Sequence, residues 1–130
     1  MSIYKGNTKV LNTIENVTGF VKESDLEIKT LTLAELGNFA GTVSAMNIEI
    51  KNGTVYFDFN VDNVIVTSTF VTIGTIAEKY RPKSVSRGFG STTSVNYPSM
   101  VTVYPDGTVA VYHASGNTTC VACNIIYNYK

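Results

Sequence analysis

Apolar and polar side chains alternate through much of the second half of the sequence, with the period of two that marks a strand buried on one face. Residues 46–50 and residues 55–61 both follow this pattern. Between them lies Asn52-Gly53, the dipeptide favoured in two-residue hairpin turns because both positions need positive φ angles. The pattern predicts an antiparallel hairpin with one apolar and one polar face. The apolar side of its first strand would be Met46, Ile48 and Ile50.

Further strands are predicted along the rest of the chain. Residues 64–73 form a longer β-branched run with apolar side chains on both faces, which needs a covering layer from the same chain or a neighbour. Residues 74–98 hold two of the three prolines and predict a less regular stretch. A second turn is expected at 105–107, Pro-Asp-Gly, and residues 121–129 alternate again. Six or more short strands predict an all-β sandwich or barrel.

The first 36 residues have a different composition from the rest. They contain all five leucines and nine charged residues, against eleven charged residues in the remaining 94. Apolar residues recur at helix-like spacing between positions 10 and 21, but Thr and Gly interrupt the pattern. The segment is too small for a core of its own. We therefore expect an attachment arm or stalk over residues 1–40 and a β-sandwich head domain over residues 41–130.

The overall composition excludes several classes of protein. Thr, Val and Ile make up 43 of the 130 residues, only 15% are charged, and the net charge is zero. A neutral chain is a poor nucleic-acid binder, because phosphate contacts require a basic surface. No apolar run approaches the roughly 20 residues that a membrane-spanning helix needs. The N-terminus lacks the apolar region of a signal peptide.

The sequence offers little for catalysis or metal binding. His113 is the single histidine, so no catalytic dyad can be built around it, and its plainer interpretation is a surface residue at a strand end. Cys120 and Cys123 lie about 10 Å apart in an extended strand, too far for a disulfide, and lack further ligands for zinc. The run Arg-Gly-Phe-Gly-Ser at 87–91 lacks the lysine of a phosphate loop and predicts an irregular surface loop. We expect no enzyme activity, no cofactor and no metal.

Tyrosine is the more informative residue type. Seven of the eight tyrosines follow the composition break, and several alternate away from the apolar face. A tyrosine presents a rigid ring and a hydroxyl, which suits interfaces and sugar-binding surfaces. Tyrosine is also simply a good strand residue. Both interpretations stay open for each position.

Three motifs together resemble the C-terminal domains of phage tail-fibre, baseplate and receptor-binding proteins. Residues 73–82, Ile-Gly-Thr-Ile-Ala-Glu-Lys-Tyr-Arg-Pro, are similar to a segment common in those domains, except that Ala77 stands where proline is usual. The Pro-Asp-Gly-Thr-Val turn at 105–109 and the aromatic strand at 125–129 follow in the same order. The resemblance covers roughly residues 45–130. The start of the chain also resembles small virion appendages such as head fibres.

The resemblance implies a jelly-roll-like antiparallel β-sandwich that assembles as a homotrimer. Such domains commonly bind cell-surface saccharides, often at clefts between subunits. The resemblance also implies that the 73–82 segment stabilises the fold and the trimer. The Arg81 guanidinium would donate hydrogen bonds to backbone carbonyls, and Pro82 would fix the backbone direction in which the chain leaves the segment. The saccharide-binding residues of the family do not carry over by motif. From side-chain chemistry, the saccharide-binding candidates are Arg87, Tyr97, Tyr112 and His113.

The sequence therefore predicts a phage virion protein made in the bacterial cytoplasm. Its head would bind host cell-surface saccharides, and residues 1–40 would attach it to a capsid, tail or baseplate protein. The alternative is a structural capsid or tail decoration protein without ligand binding. A glycan-degrading enzyme is disfavoured, because five carboxylates in the last 94 residues offer little from which to build a catalytic pair.

Overall fold

The computed structural model describes residues 26–62, 70–92, 98–113 and 120–130. Within these ranges the chain forms nine strands, one short helix, α1 (Leu33–Leu36), and one 3₁₀ turn (Glu78–Tyr80). The strands are β1 (Ile28–Thr30), β2 (Gly37–Phe39), β3 (Val43–Lys51), β4 (Thr54–Asp62), β5 (Val71–Ile76), β6 (Ser86–Thr92), β7 (Pro98–Val103), β8 (Thr108–His113) and β9 (Cys120–Asn128). The predicted all-β class is confirmed.

All nine strands belong to one antiparallel sheet in the order β1-β3-β4-β9-β6-β7-β8-β5-β2. Laid flat, the sheet would hold its two edge strands about 38 Å apart, at about 4.8 Å per strand spacing. The edge strands are joined by residues 31–36, and this stretch can extend at most about 25 Å. The sheet is therefore curled, with its apolar face enclosed. The predicted jelly-roll arrangement and the trimer stay predictions.

The hairpin between β3 and β4 follows the sequence prediction. Asn52 has a φ of 49° and Gly53 a φ of 84°, so both turn residues adopt the positive angles that this turn type requires. Lys51 and Thr54 form the last pair before the turn. The turn thereby sets the register between β3 and β4.

The predicted alternation also holds along β4 and β9. In β4 the odd-numbered residues from Val55 to Val61 are buried, and in β9 Cys123, Ile125 and Tyr127 are buried. These side chains meet inside the curled sheet. The largest fully buried side chains are Leu36, Ile48, Ile50, Val55, Phe57, Phe59, Val61, Ile76, Val101 and Ile125.

The prediction for Met46 is wrong. Its side chain is 65% exposed, while Ile48 and Ile50 are buried as expected. The cause is a β-bulge, because the register between β3 and β4 shifts between Ala45 and Asn47. One extra residue reverses the face to which every preceding side chain points. Met46 therefore lies on the outer surface, where its sulfur accepts a 3.0 Å hydrogen bond from the Asn60 amide.

Strands β1 and β2 precede residue 40 and belong to the same sheet as the strands of the predicted head domain. The division at residue 40 stays a prediction. Strand β1 pairs with β3, and β2 pairs with β5. Leu31 and Leu36 are buried in the core. A capping box on α1 holds the connection, since Thr32 caps the backbone N–H of Glu35 and the Glu35 carboxylate accepts from the Thr32 N–H at 3.0 Å. An attachment arm is thus confined, as a prediction, to the residues before Leu26, which lie outside the described residues.

The 73–82 motif joins the end of β5 to the core. The Arg81 Nε–H donates to the Ile76 carbonyl at 3.0 Å, which is the carbonyl bonding expected of this arginine. Tyr80 and Pro82 are buried, and the Tyr127 hydroxyl donates to the Tyr80 carbonyl at 2.8 Å. Burial raises the pKa of Tyr127 well above its usual value. The motif therefore fixes the crossing from β5 to β6.

The turn between β7 and β8 also follows its sequence. Gly107 has a φ of 94°, and its N–H donates to the Tyr104 carbonyl at 2.8 Å. The Asp106 carboxylate accepts from the Thr108 N–H at 2.9 Å, and this bond lowers the pKa of Asp106. The predicted turn at 105–107 is confirmed.

The prediction of a less regular stretch over residues 74–98 is wrong for β6. Residues 86–92 form an interior strand between β9 and β7. A β-carbon on Gly88 would lie 2.1 Å from the Asn124 carbonyl oxygen, and one on Gly90 would lie 1.8 Å from the Ala122 carbonyl oxygen. The glycines thus allow β6 to pass close to the β9 backbone rather than forming a loop. The predicted strand over 64–73 is described only from Phe70 onward, and Val71–Ile76 is strand β5.

Candidate functional site

The outer face of the sheet carries a row of four apolar side chains, here called the apolar row: Phe70, Phe89, Met100 and Tyr112. Phe89 of β6 pairs with Met100 of β7, and Met100 pairs with Tyr112 of β8. The ring of Phe70 packs on that of Tyr112 with a centroid distance of 5.4 Å. Phe89 is 67% exposed and Phe70 is 43% exposed. A contiguous apolar patch on a protein surface commonly marks an interaction site.

A groove of about 290 Å³, here called the Arg87 groove, lies beside Phe89 between β6 and β9. The pairs between these two strands run from Phe89–Asn124 to Thr92–Val121, so the regular pairing ends at Phe89 on the Arg87 side. The groove lies at this end of the pairing. It is lined by Arg87, Gly88, Phe89, Asn124, Ile125 and Ile126.

The Arg87 groove carries one formal charge. Arg87 is exposed, and the ion pairs among the described residues are Lys29–Glu27, Lys51–Glu49 and Lys130–Glu27, none of which involves it. No carboxylate lines the groove. The exposed amide of Asn124 can donate and accept hydrogen bonds there, while Phe89 and Ile126 supply apolar walls. The groove thus combines a cation, an amide and an exposed ring.

The thiol of Cys123 is close to this groove in the sheet but cannot react with a ligand bound there. Cys123 pairs with Gly90 across β9 and β6, but its side chain points inward and is buried. Burial raises the pKa of the Cys123 thiol to about 12, so it stays protonated at neutral pH. Among the described residues, no three His, Cys, Asp or Glu side chains come together in a way that could hold a metal ion.

The structure places two of the four predicted saccharide-binding residues on one outer face. Arg87 belongs to β6, two residues before Phe89, and Tyr112 belongs to β8 at the far side of Met100. Residues two apart in a strand share a face, so Arg87 and the apolar row face the same side. His113 pairs with Ser99 at the end of β8. Tyr97 lies outside the described residues. Their role in binding stays a prediction for all four.

Sequence analysis missed three residues of this surface: Phe89, Asn124 and Ile126. Phe89 was assigned to an irregular loop, so its face in a sheet was not considered. Ile126 is 54% exposed and breaks the alternation of β9, because Ile125 beside it is buried. Two adjacent apolar residues in an alternating strand indicate that one of them must face outward. That signal was present in the sequence.

At one end of the sheet, Glu27 ties the beginning of the described chain to the hairpin and the last strand. Its backbone N–H donates to the Asn52 side chain at 3.0 Å, and its carbonyl accepts from the Asn52 N–H at 2.7 Å. Its carboxylate accepts from the Tyr129 hydroxyl and lies 3.6 Å from both Lys29 and Lys130. The residues that precede Glu27 in the sequence therefore join the head beside the β3–β4 hairpin.

A second cavity, of about 300 Å³, lies between α1 and β2. It is lined by Leu33, Ala34, Gly37, Asn38 and Phe39, and none of these side chains is charged. It therefore provides fewer groups for orienting a polar ligand than the Arg87 groove does.

The structure is similar to that of a known phage protein domain. The crystal structure of the head domain of phage bIL170, presented with the question of whether the receptor-binding domains of lactococcal phages share a common fold, matches with a TM-score of 0.54. The match covers 80% of this chain and 100% of that one, at 19% sequence identity. This chain has the fold of a phage receptor-binding head domain. The resemblance drawn from the sequence motifs is thereby confirmed at the level of the fold.

No protein-family model and no curated protein matches this sequence. In the part of the chain that the structure describes, no helix is long and apolar enough to cross a membrane.

Proposed function

We propose that this protein is the host-recognition head of a phage virion appendage, of the tail-fibre, baseplate or head-fibre type. The head assembles as a homotrimer and binds host cell-surface saccharides without catalysing a reaction. The observation that carries the proposal is the Arg87 groove on a fold shared with a phage receptor-binding head domain. Exposed aromatic rings and hydrogen-bonding groups in a shallow groove suit sugar rings, whose faces are apolar and whose edges carry hydroxyls.

The apolar row supports association between copies of this chain, which the proposed trimer requires. Met100, Tyr112 and Phe70 extend from the groove towards β5, and Phe70 stays 43% exposed even though it packs on Tyr112. Burial against a second copy would remove this surface from water, at about 25 cal/mol per Å² of apolar area. Aromatic residues and Met are enriched at the centres of such interfaces. The Arg87 groove would then lie beside a subunit boundary.

Attachment to the virion is assigned to the N-terminal segment. The sequence predicts an attachment arm over residues 1–40. Because strands β1 and β2 of residues 28–39 belong to the sheet of the head, the proposed arm is shorter than the predicted one. Glu27 joins the segment to the head beside the β3–β4 hairpin. Residues 1–25 would therefore link the head to a capsid, tail or baseplate protein.

A glycan array with the purified protein tests the function. We expect binding to a subset of bacterial surface glycans, reduced by R87A, which removes the groove's only charged group. K83A is the matched control, because Lys83 is also exposed but does not line the groove. A blank array with glycans from bacterial surfaces would favour a decoration protein instead. Release of reducing ends from a bound polysaccharide would contradict the assignment as a non-enzymatic head.

Light scattering tests the assembly separately. A trimer of this 14.1 kDa chain is expected, and a stable monomer would exclude the homotrimer while leaving the saccharide-binding proposal to the array.

A further inference from the structure

We infer that the ligand of the Arg87 groove is a sugar unit that carries an anionic group, either a carboxylate or a phosphate. The inference rests on the proposed saccharide-binding function and specifies its substrate class. It begins from the charge in the groove: Arg87 is the one formally charged residue among the six that line it, and it has no ion pair with any described residue.

The guanidinium of arginine is suited to this role. It presents its N–H donors in a planar fork that matches the oxygens of a carboxylate or phosphate, and such charge-assisted bonds are roughly twice as strong as neutral ones. A neutral sugar would satisfy the guanidinium only through hydroxyls, which water replaces at little cost. No carboxylate is among the residues that line the groove, and the exposed Asp58 of β4 lies one strand away, opposite Asn124, so Arg87 is the charged group that an anion in the groove would contact.

The rest of the groove fits a ring rather than a free anion. Phe89 is 67% exposed and Ile126 is 54% exposed, so the walls offer apolar surface to one face of a sugar. The Asn124 amide lies between them and can bond ring hydroxyls. Gly88 lines the groove with backbone alone, and its lack of a side chain lets β6 lie against β9, because a β-carbon there would meet the Asn124 carbonyl oxygen at 2.1 Å. At about 290 Å³ the groove lies at the small end of ligand sites, which suits a single sugar unit of a longer glycan.

The test is an NMR titration of the isotope-labelled full chain with three probes: glucuronate, glucose 1-phosphate and glucose. We expect at least one of the anionic sugars to bind more tightly than glucose by about tenfold or more, the usual effect of a hydrogen bond to a charged group. The amide resonances of Arg87, Phe89 and Asn124 should shift with the anionic sugar. Which of the two anionic sugars binds identifies the anionic group.

Variants separate the charge from the ring. R87Q should bring the affinity for the anionic sugar down to that for glucose, while K83Q, a matched loss of one exposed positive charge outside the groove, should leave the preference intact. F89A should weaken all sugars that bind by a similar factor, because it removes stacking and not charge. Both side chains are exposed, so neither variant is expected to impair folding.

The outcomes distinguish this inference from the function on which it rests. Glucose binding as tightly as the anionic sugars, or a preference that survives in R87Q, would overturn the anionic ligand and leave saccharide binding in place. Resonance shifts confined to Lys29 and Lys130, the two lysines beside Glu27, and unaffected by R87Q and F89A, would overturn the groove as the site. If no probe binds but the glycan array shows neutral ligands, the anionic inference fails alone. If the array is also blank, both fail.

Discussion

The buried hydroxyl of Tyr127 donates a 2.8 Å hydrogen bond to the backbone carbonyl of Tyr80. The bond spans 47 residues and connects the terminal strand β9 to the 73–82 motif. Both residues are buried, and buried polar groups need a hydrogen-bond partner within the protein. Two segments that resemble phage receptor-binding domains in sequence are thus held together directly.

Replacing Tyr127 with phenylalanine should destabilise the protein. The Y127F variant keeps the buried ring but leaves the Tyr80 carbonyl without a partner, which costs about 1–3 kcal/mol. The measurement is urea unfolding, with a lower midpoint and an unchanged slope expected. Y56F is the control, since Tyr56 is half-buried on the outer face of β4. Equal midpoints for Y127F and the wild type would contradict a stabilising role for this bond.

Alkaline pH should destabilise the protein through Cys123. Burial raises the pKa of its thiol from 9.0 to about 12. Above pH 9 the Cys123 thiol therefore loses its proton in the unfolded chain but keeps it in the folded chain. The free energy of unfolding consequently falls as the pH rises from 9 towards 12. The loss is up to about 1.4 kcal/mol per pH unit.

Two proteins are compared, both with Cys120 replaced by serine: the parent, which keeps Cys123, and the C123V variant. Free energies of unfolding at pH 8 and pH 10.5 should diverge less for C123V than for its parent, because valine does not titrate. Tyr127 contributes to the alkaline loss in both proteins alike, since its pKa is also raised. Identical pH dependence in the two proteins would contradict the assignment to Cys123.

The β3–β4 turn makes a prediction about glycine. In G53A the new residue must adopt a φ near 84°, and its β-carbon would lie 3.0 Å from the Lys130 β-carbon. The positive φ alone costs about 1–2 kcal/mol for a residue with a side chain. G41A is the matched control, because a β-carbon at Gly41 has nothing within 4 Å and φ is not in the positive range. Thermal unfolding should show a clear loss for G53A and a small change for G41A; the opposite order would contradict the turn geometry.

The apolar row makes a prediction about assembly. F70S removes an exposed ring that packs on Tyr112, and should lower the mass seen by size-exclusion chromatography with light scattering from trimer towards monomer. M46S is the control, since Met46 is also exposed but lies beside Asn60, away from the row. A trimer that persists in F70S and falls apart in M46S would place the interface elsewhere on the head.

The parts of the fold that sequence analysis predicted are those in which local and long-range preferences agree. The Asn52-Gly53 turn and the alternation from Val55 to Val61 each specify one conformation, and the structure adopts both. The 105–107 turn is of the same kind, since Gly107 occupies a position that needs a positive φ. In these segments the side chains alone determine the local structure.

The parts that were missed depend on contacts distant in sequence. Gly88 and Gly90 indicate a loop by local preference, yet the close approach of β9 is what requires them. The bulge that turns Met46 outward leaves no signature in the alternation itself. For the candidate site, Arg87 was predicted from its chemistry, but Phe89 and Ile126 could be recognised as its neighbours only once β6 was placed beside β9.

Residues 28–39 supply both outermost strands of the sheet, and this has a consequence for how the protein reaches its folded state. Until this segment docks, β3 and β5 each present an unpaired edge, and unpaired edges of apolar strands join readily to those of other molecules. A fragment that began at residue 41, the start of the predicted head domain, would keep both edges open permanently. By covering the long strands β3 and β5 with strands of three residues each, residues 28–39 leave the folded sheet with short edges, which are less prone to pair with other molecules.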